Sequence, residues 1–446
     1  MLDIKKSLLE GDKKIGIWGT GFIGFSTMAN FANNGIKVIG FDVVKDKVDT
    51  INDGKIPIEG LEYWLGFTIE ELVKSGVMRA TYNISEMEDE DIIVHMVAIP
   101  TEKEGEPFDD ILIEVMKNIS EIVKKRKNKS ETPLIIVEST ITPGRSDSIC
   151  LKILKESGLD VGSDVLYGVS PRRDWFVSPE KNLRKLPRII GGTTKETTQM
   201  MKEVLSVICD TLVPASDHKH AEIVKSVENA YRHMDITFAN QLSLAYPNMN
   251  VTEILRLAGT KWNIGTFHPS FGTGGYCIPL SSKYVLMGAE KPEFLSLLKE
   301  TIEYDTKQPE KVIEKIKRKN LKSAGILGLS YKGDIKVTIL SPTLKLVELL
   351  KKECIEVKVN DPLFSAEEIT RISGTKSFRF PEDLHLFDAL LIVADHKQYR
   401  STPHKIIKQN LKNCKLILDN TEVWKDIDFD NSDIEYHIAG DKGWLV

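Results

Sequence analysis

Cysteine is scarce in this chain and follows no pattern. The five residues, Cys150, Cys209, Cys277, Cys354 and Cys414, are odd in number, scattered and without CxxC spacing. That excludes a disulfide framework and a zinc or other structural metal pattern, and it suits a reducing cytoplasm. No apolar run approaches the length of a membrane span. Met1–Lys14 is charged rather than apolar, so no secretory signal is expected. Nor is there a basic excess: 60 Lys and Arg face 65 Asp and Glu, for a net charge of −5. A general affinity for nucleic acid or anionic membrane is therefore not expected, and any anion site must be local. Internal repeats and low-complexity tracts are also lacking.

What is present is the composition of an ordinary globular protein, with a length of 446 residues that suggests about three domains. After a short amphipathic or frayed leader at 1–13, Lys14–Trp18 reads as an apolar strand. It runs into Gly19-Thr20-Gly21-Phe22-Ile23-Gly24, and a helical pattern continues to Asn33. Lys37–Asp42 is a second strand that ends in an acid. Strand, glycine turn, helix and acid in this order form the dinucleotide fingerprint. The glycines let the backbone approach a pyrophosphate, and the N–H groups of Phe22 and Ile23 open the helix that stabilises its charge. Asp42 can accept hydrogen bonds from both ribose hydroxyls. It would repel a 2′-phosphate, which favours NAD over NADP.

Further strands are expected at Asp91–Ala98, Leu134–Glu138 and Val165–Val169, dense in Ile and Val as buried parallel strands are. Thr101 and Thr140 follow two of them, where ligands of such sheets sit; each reads equally as a helix N-cap. Ser170-Pro171-Arg172-Arg173-Asp174-Trp175-Phe176 follows the third. Its arginines read as a phosphate or sugar-nucleotide site or as a solvated loop. Arg188–Gly192 reads as the strand and turn that close the first domain.

From His218 to about Leu244 the pattern is one long helix. Lys225, Asn229, Arg232, Ile236 and Asn240 share a narrow stripe. Val224, Val227, Ala230, Tyr231, Met234, Phe238 and Leu242 lie opposite and call for a core. A cation and an amide one turn apart can converge on a single oxyanion, so the polar stripe reads as the lining of a cleft. Then comes Phe271-Gly272-Thr273-Gly274-Gly275-Tyr276-Cys277-Ile278-Pro279. Three glycines before a cysteine and a proline soon after it suit a thiol held beside a ligand, or a buried structural cysteine. Glu293–Tyr304 reads as a helix. A second α/β unit starts near Leu321, with strands at 324–329, 356–359, 388–394 and 415–418 and a helix at Pro342–Lys352. The expected architecture is an NAD-binding Rossmann domain over 1–215, a central helical dimerisation and catalytic-loop region over 216–315, and a Rossmann-like domain over 316–446.

These motifs, in this order along nearly the whole chain, resemble the nucleotide-sugar 6-dehydrogenases, the family of UDP-glucose, GDP-mannose and UDP-N-acetylhexosamine dehydrogenases. The resemblance rests on Gly19–Gly24, Pro100-Thr101, Ser139-Thr140, Lys225 with Asn229, the Cys277 loop and Gly328-Leu329-Ser330-Tyr331-Lys332. The UDP-N-acetylhexosamine branch is matched by Glu228-Asn229-Ala230-Tyr231-Arg232, Asn240, His268-Pro269, Gly272, Gly274, Gly275 and Tyr284. The resemblance implies a cytoplasmic homodimer or larger homo-oligomer whose C-terminal domain binds the nucleotide-sugar. It also implies two successive hydride transfers from the sugar C6 alcohol to NAD through a Cys277 thiohemiacetal and thioester, ending in a uronic acid for a surface polysaccharide or glycan. Lys225 and Asn229 would hold the oxyanion, and Lys225 would favour the thiolate. Thr140 would join the catalytic set. Arg232, His268, the loop glycines, Tyr284, Lys332 and Arg172 would contact substrate.

Three positions depart from the family. Ser281 stands where the family has an aspartate after its cysteine-proline motif, and Arg172 where it has a glutamate after Ser-Pro. Ile339 occupies the place of an arginine ahead of Ser341-Pro342. Glu180, in a second Ser-Pro-Glu, is a candidate substitute for the lost glutamate. Losing a general acid or base costs roughly 10²–10⁴-fold, so hydrolysis would slow while hydride transfer survives. Arg172 could instead meet an anionic group on the substrate. The alternative readings are a diverged enzyme that keeps or transfers its acyl group, and a non-catalytic protein that binds NAD and a nucleotide-sugar.

Overall fold

A computed structural model describes residues 3–58, 61–173, 181–430 and 432–446. The chain divides into two compact units, Met1–Val227 with Met287–Glu290, and Glu228–Leu286 with Lys291–Val446. The central stretch is thus shared, since its long helix starts in the first unit and the residues after it build into the second.

The first unit is organised on eight strands: β1 (Lys14–Trp18), β2 (Val38–Phe41), β3 (Met78–Thr81), β4 (Ile92–Val97), β5 (Leu134–Val137), β6 (Leu166–Val169), β7 (Arg188–Gly192) and β8 (Leu212–Pro214). Their order is β8-β7-β6-β5-β4-β1-β2-β3, parallel except between β6 and β7. Every residue of β4, β5 and β6 is buried, as expected of strands covered on both faces. One face packs Ile15 and Ile17 against Phe25 and Met28; the other packs Trp18 and Val97 against Met116 and Ile119. The sequence order reverses beside β1, which opens the crevice where such sheets take ligands.

Of its two readings the leader takes the amphipathic one: helix α1 (Ile4–Leu9) is capped by Asp3, whose carboxylate accepts from Lys6 N at 3.0 Å. Ile4 and Leu8 are buried in the same core as Phe31. Arg188–Gly192 does not close the domain, because a further helix and strand β8 follow it and extend the sheet. Helix α2 (Phe22–Asn33) follows β1, and helix α3 (Lys195–Leu205) follows β7.

Helix α4 (His218–Ala245) crosses the division between units. Its expected sidedness holds only in part. Asn229 and Asn240 of the polar stripe and Ala230 of the apolar side are buried, as are His233 and Thr237, while Arg232 of the stripe is exposed and Tyr231 and Phe238 of the supposed core face are 63% and 57% exposed. In the second unit come helix α5 (Ile278–Gly288) and helix α6 (Ser296–Arg318). Glu293–Tyr304 was too short a reading for the latter, because the helix continues through Pro309 to Arg318. The second sheet comprises β9 (Ser323–Leu327), β10 (Glu356–Asn360), β11 (Ala389–Ile392), β12 (Leu416–Asp419) and β13 (Glu435–Ile438), ordered β10-β9-β11-β12-β13 and parallel throughout. Helix α7 (Pro342–Lys352) starts at Ser341, whose hydroxyl accepts from Thr343 N at 3.3 Å, with proline in the first turn. The central stretch docks on this body through Thr252 Oγ1 to Ala439 O at 2.7 Å and Phe271 stacked on Trp444.

Candidate active site

The first unit carries a cradle at the carboxyl end of β1. Gly19 has φ +89°, and a Cβ there would lie 2.4 Å from Ala98 O. A Cβ on Gly24 would lie 1.9 Å from Gly19 O, so the glycine turn and α2 pack without room for side chains. Gly21 differs: nothing lies within 4 Å of its Cβ position, and as N-cap of α2 it offers no capping side chain. The space beside Gly21 at the N-terminus of α2 is therefore open, where the helix end favours an anion. Phe22 is exposed beside it.

Asp42, 7% exposed, closes the cradle. Its Oδ2 accepts from Thr20 N at 2.9 Å, Thr20 Oγ1 at 2.7 Å and Lys47 Nζ at 2.9 Å, and its Oδ1 accepts from Val44 N at 3.0 Å. Burial pushes its pKa up, but the bonds from Val44, Lys47 and Thr20 outweigh that and hold it below the ordinary carboxylate value. Oδ1 keeps accepting capacity for a ribose hydroxyl. The donor set and the open Gly21 face fit a dinucleotide. Thr20 and Lys47 were missed in the sequence because their contacts to Asp42 lie across a turn.

Thr101 and Thr140 tie the next two strand ends together, Thr101 Oγ1 donating to Thr140 O at 2.7 Å. Ser139 Oγ is bonded to both Ile99 N and Ile99 O at 2.8 Å. The helices that follow start at Asp110 and Ser146 with Asp109 and Arg145 at their N-caps, so neither threonine is a cap. Glu222 of α4 holds the loop beyond Thr140, accepting from Ser146 N at 3.0 Å. Burial pushes its carboxyl up to about 7 despite the N–H groups of Ser146, Gly144 and Arg145.

Arg172 is buried beneath α2. It donates to Ile23 O at 3.2 Å, Thr27 Oγ1 at 2.5 Å and Ser26 Oγ at 3.0 Å. Thr27 in turn donates to Glu138 at 2.8 Å, and Glu138 pairs with buried Arg188. Asp174, Trp175, Phe176 and the candidate Glu180 lie outside the described residues.

The second unit holds the thiol. Cys277 is exposed and immediately precedes α5. Ser281, one turn into that helix, donates its N–H to Cys277 O at 3.1 Å and accepts from Asn229 Nδ2 at 2.9 Å through its hydroxyl. Asn229 and Cys277 are therefore joined through the residue that replaces the family aspartate. Lys225 lies one turn before Asn229 on α4 and belongs to the first unit. Asn240 Oδ1 accepts from Ser270 N at 2.7 Å, anchoring the start of the loop. Gly275, φ +84°, donates to Ile339 O at 2.9 Å. Position 339 thus supports the loop through its backbone although its side chain has changed. Gly274 and Gly275 lie against Tyr331, whose Cβ leaves no space for a side chain at Gly274 and whose ring leaves none at Gly275.

Beside this loop a cleft of about 340 Å³ is lined by His268, Tyr331, Lys332, Asp395, Asn420 and Thr421, among others. Burial pushes the Tyr331 phenol up to about 12; nearby Cys277 adds to the rise and Arg232 opposes it. At neutral pH it is a hydrogen-bond donor. Burial lowers the Lys332 ammonium; Asp395 works against this and Arg232 adds to it. Two cations that disfavour each other at a cleft mouth are relieved by an anion. Tyr284 is buried on α5, and His268 is exposed at the cleft.

Three domain models of the UDP-glucose/GDP-mannose dehydrogenase family match the chain: the NAD binding domain at 13–208, the central domain at 219–306 and the UDP binding domain at 325–426. The chain is 31% identical over 370 residues to the UDP-N-acetyl-D-mannosamine dehydrogenase of Campylobacter jejuni, covering 78% of this chain and 86% of that one. It is 27% identical to the protein of that name from Methanococcus aeolicus, covering 100% and 99%. Among solved structures, the UDP-N-acetyl-mannosamine dehydrogenase Cap5O from S. aureus matches with a TM-score of 0.78 at 26% identity, over 97% of this chain and 100% of that one.

Proposed function

As the chain belongs to the UDP-glucose/GDP-mannose dehydrogenase family, and is thereby an NAD-dependent nucleotide-sugar dehydrogenase, we propose that it oxidises the C6 alcohol of a UDP-N-acetylhexosamine to the uronic acid. The relatives named above make UDP-N-acetylmannosamine the first sugar to try. The observation that carries this reading is the exposed Cys277 at the head of α5, joined to buried Asn229 through Ser281 and standing beside Tyr331 and Arg232.

Bound NAD supplies the hydride acceptor for both oxidations. Gly19, Gly21 and Gly24 admit its pyrophosphate, the N–H groups of Phe22 and Ile23 face that charge, and Asp42 takes a ribose hydroxyl. In the first oxidation the C6 alcohol would give its hydride to that acceptor and its hydroxyl proton to solvent water, leaving an aldehyde. The Cys277 sulfur then attacks the aldehyde carbon, and Lys225 with the Asn229 amide stabilises the oxygen as it becomes negative. The second hydride leaves a thioester on Cys277. Water attacks the thioester carbon, the carbon–sulfur bond breaks, and thiol and uronate are released. Thr101 and Thr140 hold the two strand ends beside the cofactor. Arg232, Lys332 and His268 favour the diphosphate of the nucleotide-sugar at the second unit's cleft. Arg172 is engaged with Ile23, Ser26 and Thr27 beneath the dinucleotide helix, which supports a structural role at that position.

A homodimer in the cytoplasm is part of the same proposal. Tyr231, Phe238, Tyr246, Met249, Leu257 and Trp262 are exposed on α4 and the segment after it, apolar side chains that a second copy could cover. The purified chain is to be given NAD and a panel of UDP- and GDP-sugars. Two NADH per sugar are expected, with no complete turnover in Cys277→Ala. Silence across the panel would overturn the substrate class.

A further inference from the structure

Cys277 is bracketed by two hydroxyls that the proposed reaction leaves unused, Thr273 before it and Ser282 after it. Both lead to one carboxylate. Asp305 of α6 accepts from Thr273 N at 3.0 Å through Oδ1 and from Thr273 Oγ1 at 2.5 Å through Oδ2. On the other side, His233 Nδ1 of α4 lies 2.9 Å from Ser282 Oγ. His233 Nε2 lies 3.2 Å from Asp305 Oδ2, an ion-pair distance without hydrogen-bond alignment. Ser282, His233 and Asp305 are 0%, 1% and 7% exposed.

A carboxylate buried to this degree is costly unless it is paired, and here its neighbours are Thr273 on one flank of the cysteine and His233, which reaches the other flank at Ser282. The helix is shaped for this contact. Pro309, four residues after Asp305, has no N–H to give the Asp305 carbonyl. Gly272 packs there, its Cβ position 3.6 Å from that oxygen. The loop needs such anchoring, since Gly272, Gly274 and Gly275 leave its backbone few intrinsic restraints.

We propose that Asp305 and His233 form a clamp that fixes Cys277 from both sides, Asp305 holding the glycine loop through Thr273 and His233 holding α5 through Ser282. They are positioning residues and do not touch the reacting atoms. The inference rests on Cys277 as the nucleophile, and its test is kept separable from that reading.

The variants are Asp305→Ala, His233→Ala and the mild Thr273→Val, which removes only the hydroxyl. Each is made in a Cys354→Ser background, because Cys354 is the other exposed thiol among the described residues. Readouts are kcat, KM for NAD, melting temperature, and the rate at which iodoacetamide labels Cys277. A misplacement of about 1 Å costs about a hundredfold, so kcat falls by that order in Asp305→Ala and about tenfold in Thr273→Val. KM for NAD stays within about twofold, since the cofactor cradle is in the first unit. Labelling slows by about fivefold or more as the sulfur leaves its place at the head of α5. Folded variants with wild-type kcat and labelling rate would overturn the clamp. So would losses in Asp305→Ala and His233→Ala that only follow a fallen melting temperature while Thr273→Val is normal. Should Asp305→Ala not fold, Thr273→Val decides. If no sugar is oxidised by the parent protein, the functional reading fails and the labelling arm still judges the clamp.

Discussion

Glu222 is a carboxyl group met by backbone N–H groups and still displaced toward neutrality, because removal from water outweighs what those donors return. Its pKa of about 7 in the folded chain stands above the ordinary glutamate value of 4.5. The folded chain therefore binds this proton more tightly than the unfolded chain, and stability falls as pH rises from about 4.5 to about 7. Above that window the ionised group costs on the order of 3 kcal/mol. Glu222→Gln keeps an oxygen for Ser146 N without the charge. Its melting temperature is expected to match the parent at pH 4.5 and to exceed it by several degrees at pH 8, read by differential scanning fluorimetry at both values. A difference independent of pH would remove this assignment. Asp42 and Cys277 were legible in the sequence because each sits in a motif whose backbone demands particular residues. Thr20, Lys47, His233 and Asp305 were not, since a hydroxyl, an amine or an imidazole gains its role only from a partner brought in by the fold. Arg172 was legible as a departure, but its destination under α2 was not, because nothing local says which way a long side chain turns.

For the elements, the hydrophobic periodicity located α4 and misjudged part of its apolar side. Asn229, His233 and Asn240 are buried where they hold loops: Asn229 takes Ser281, His233 takes Ser282 and Asn240 takes Ser270. A polar stripe that bonds other segments outranks an apolar one in the claim to be inside. Most strands of both sheets were legible from their Ile and Val runs, whereas β3 and β13 carry too few such residues and β8 is too short to stand out. The cysteine loop shows the same dependence on tertiary contact. A Cβ on Gly274 would lie 2.6 Å from Tyr331 Cβ and 3.0 Å from Leu340 O. Neither is the movable end of a side chain, so the loop must shift. Gly274→Ala is expected to lower kcat by about tenfold or more with KM for NAD unchanged, in steady-state NADH assays. Wild-type kcat would mean that the loop tolerates displacement.

Across the whole molecule, two sheets of one class place an acid at the same point. Asp42 ends the second strand of the first sheet and keeps an accepting site open beside a glycine turn. Asp361 follows the second strand of the other sheet, and its Oδ2 accepts from Leu329 N and Ser330 N at 2.9 Å each, with His396 Nε2 at 3.1 Å. Asp361 Oδ1 accepts from Leu363 N at 3.0 Å as Asp42 Oδ1 accepts from Val44 N, so each acid closes the turn after the first strand of its sheet, and in the second unit Lys332 and His268 line the cleft. That cleft and the Cys277 loop belong to the unit that also exposes Tyr231 and Phe238, two turns apart on one face of α4. Aromatic side chains at this spacing present a stripe that a second copy of the chain can cover isologously. Covering it also steadies the helix that carries Asn229 and His233, so association and activity should fall together. Tyr231→Glu with Phe238→Glu is expected to move the protein from dimer to monomer in sedimentation velocity at micromolar concentration. The parent, unlike the variant, should melt at a temperature that rises with its concentration. The variant should lose most of its kcat while binding NAD normally. A parent that sediments as a fully active monomer would show that these rings serve some purpose other than self-association.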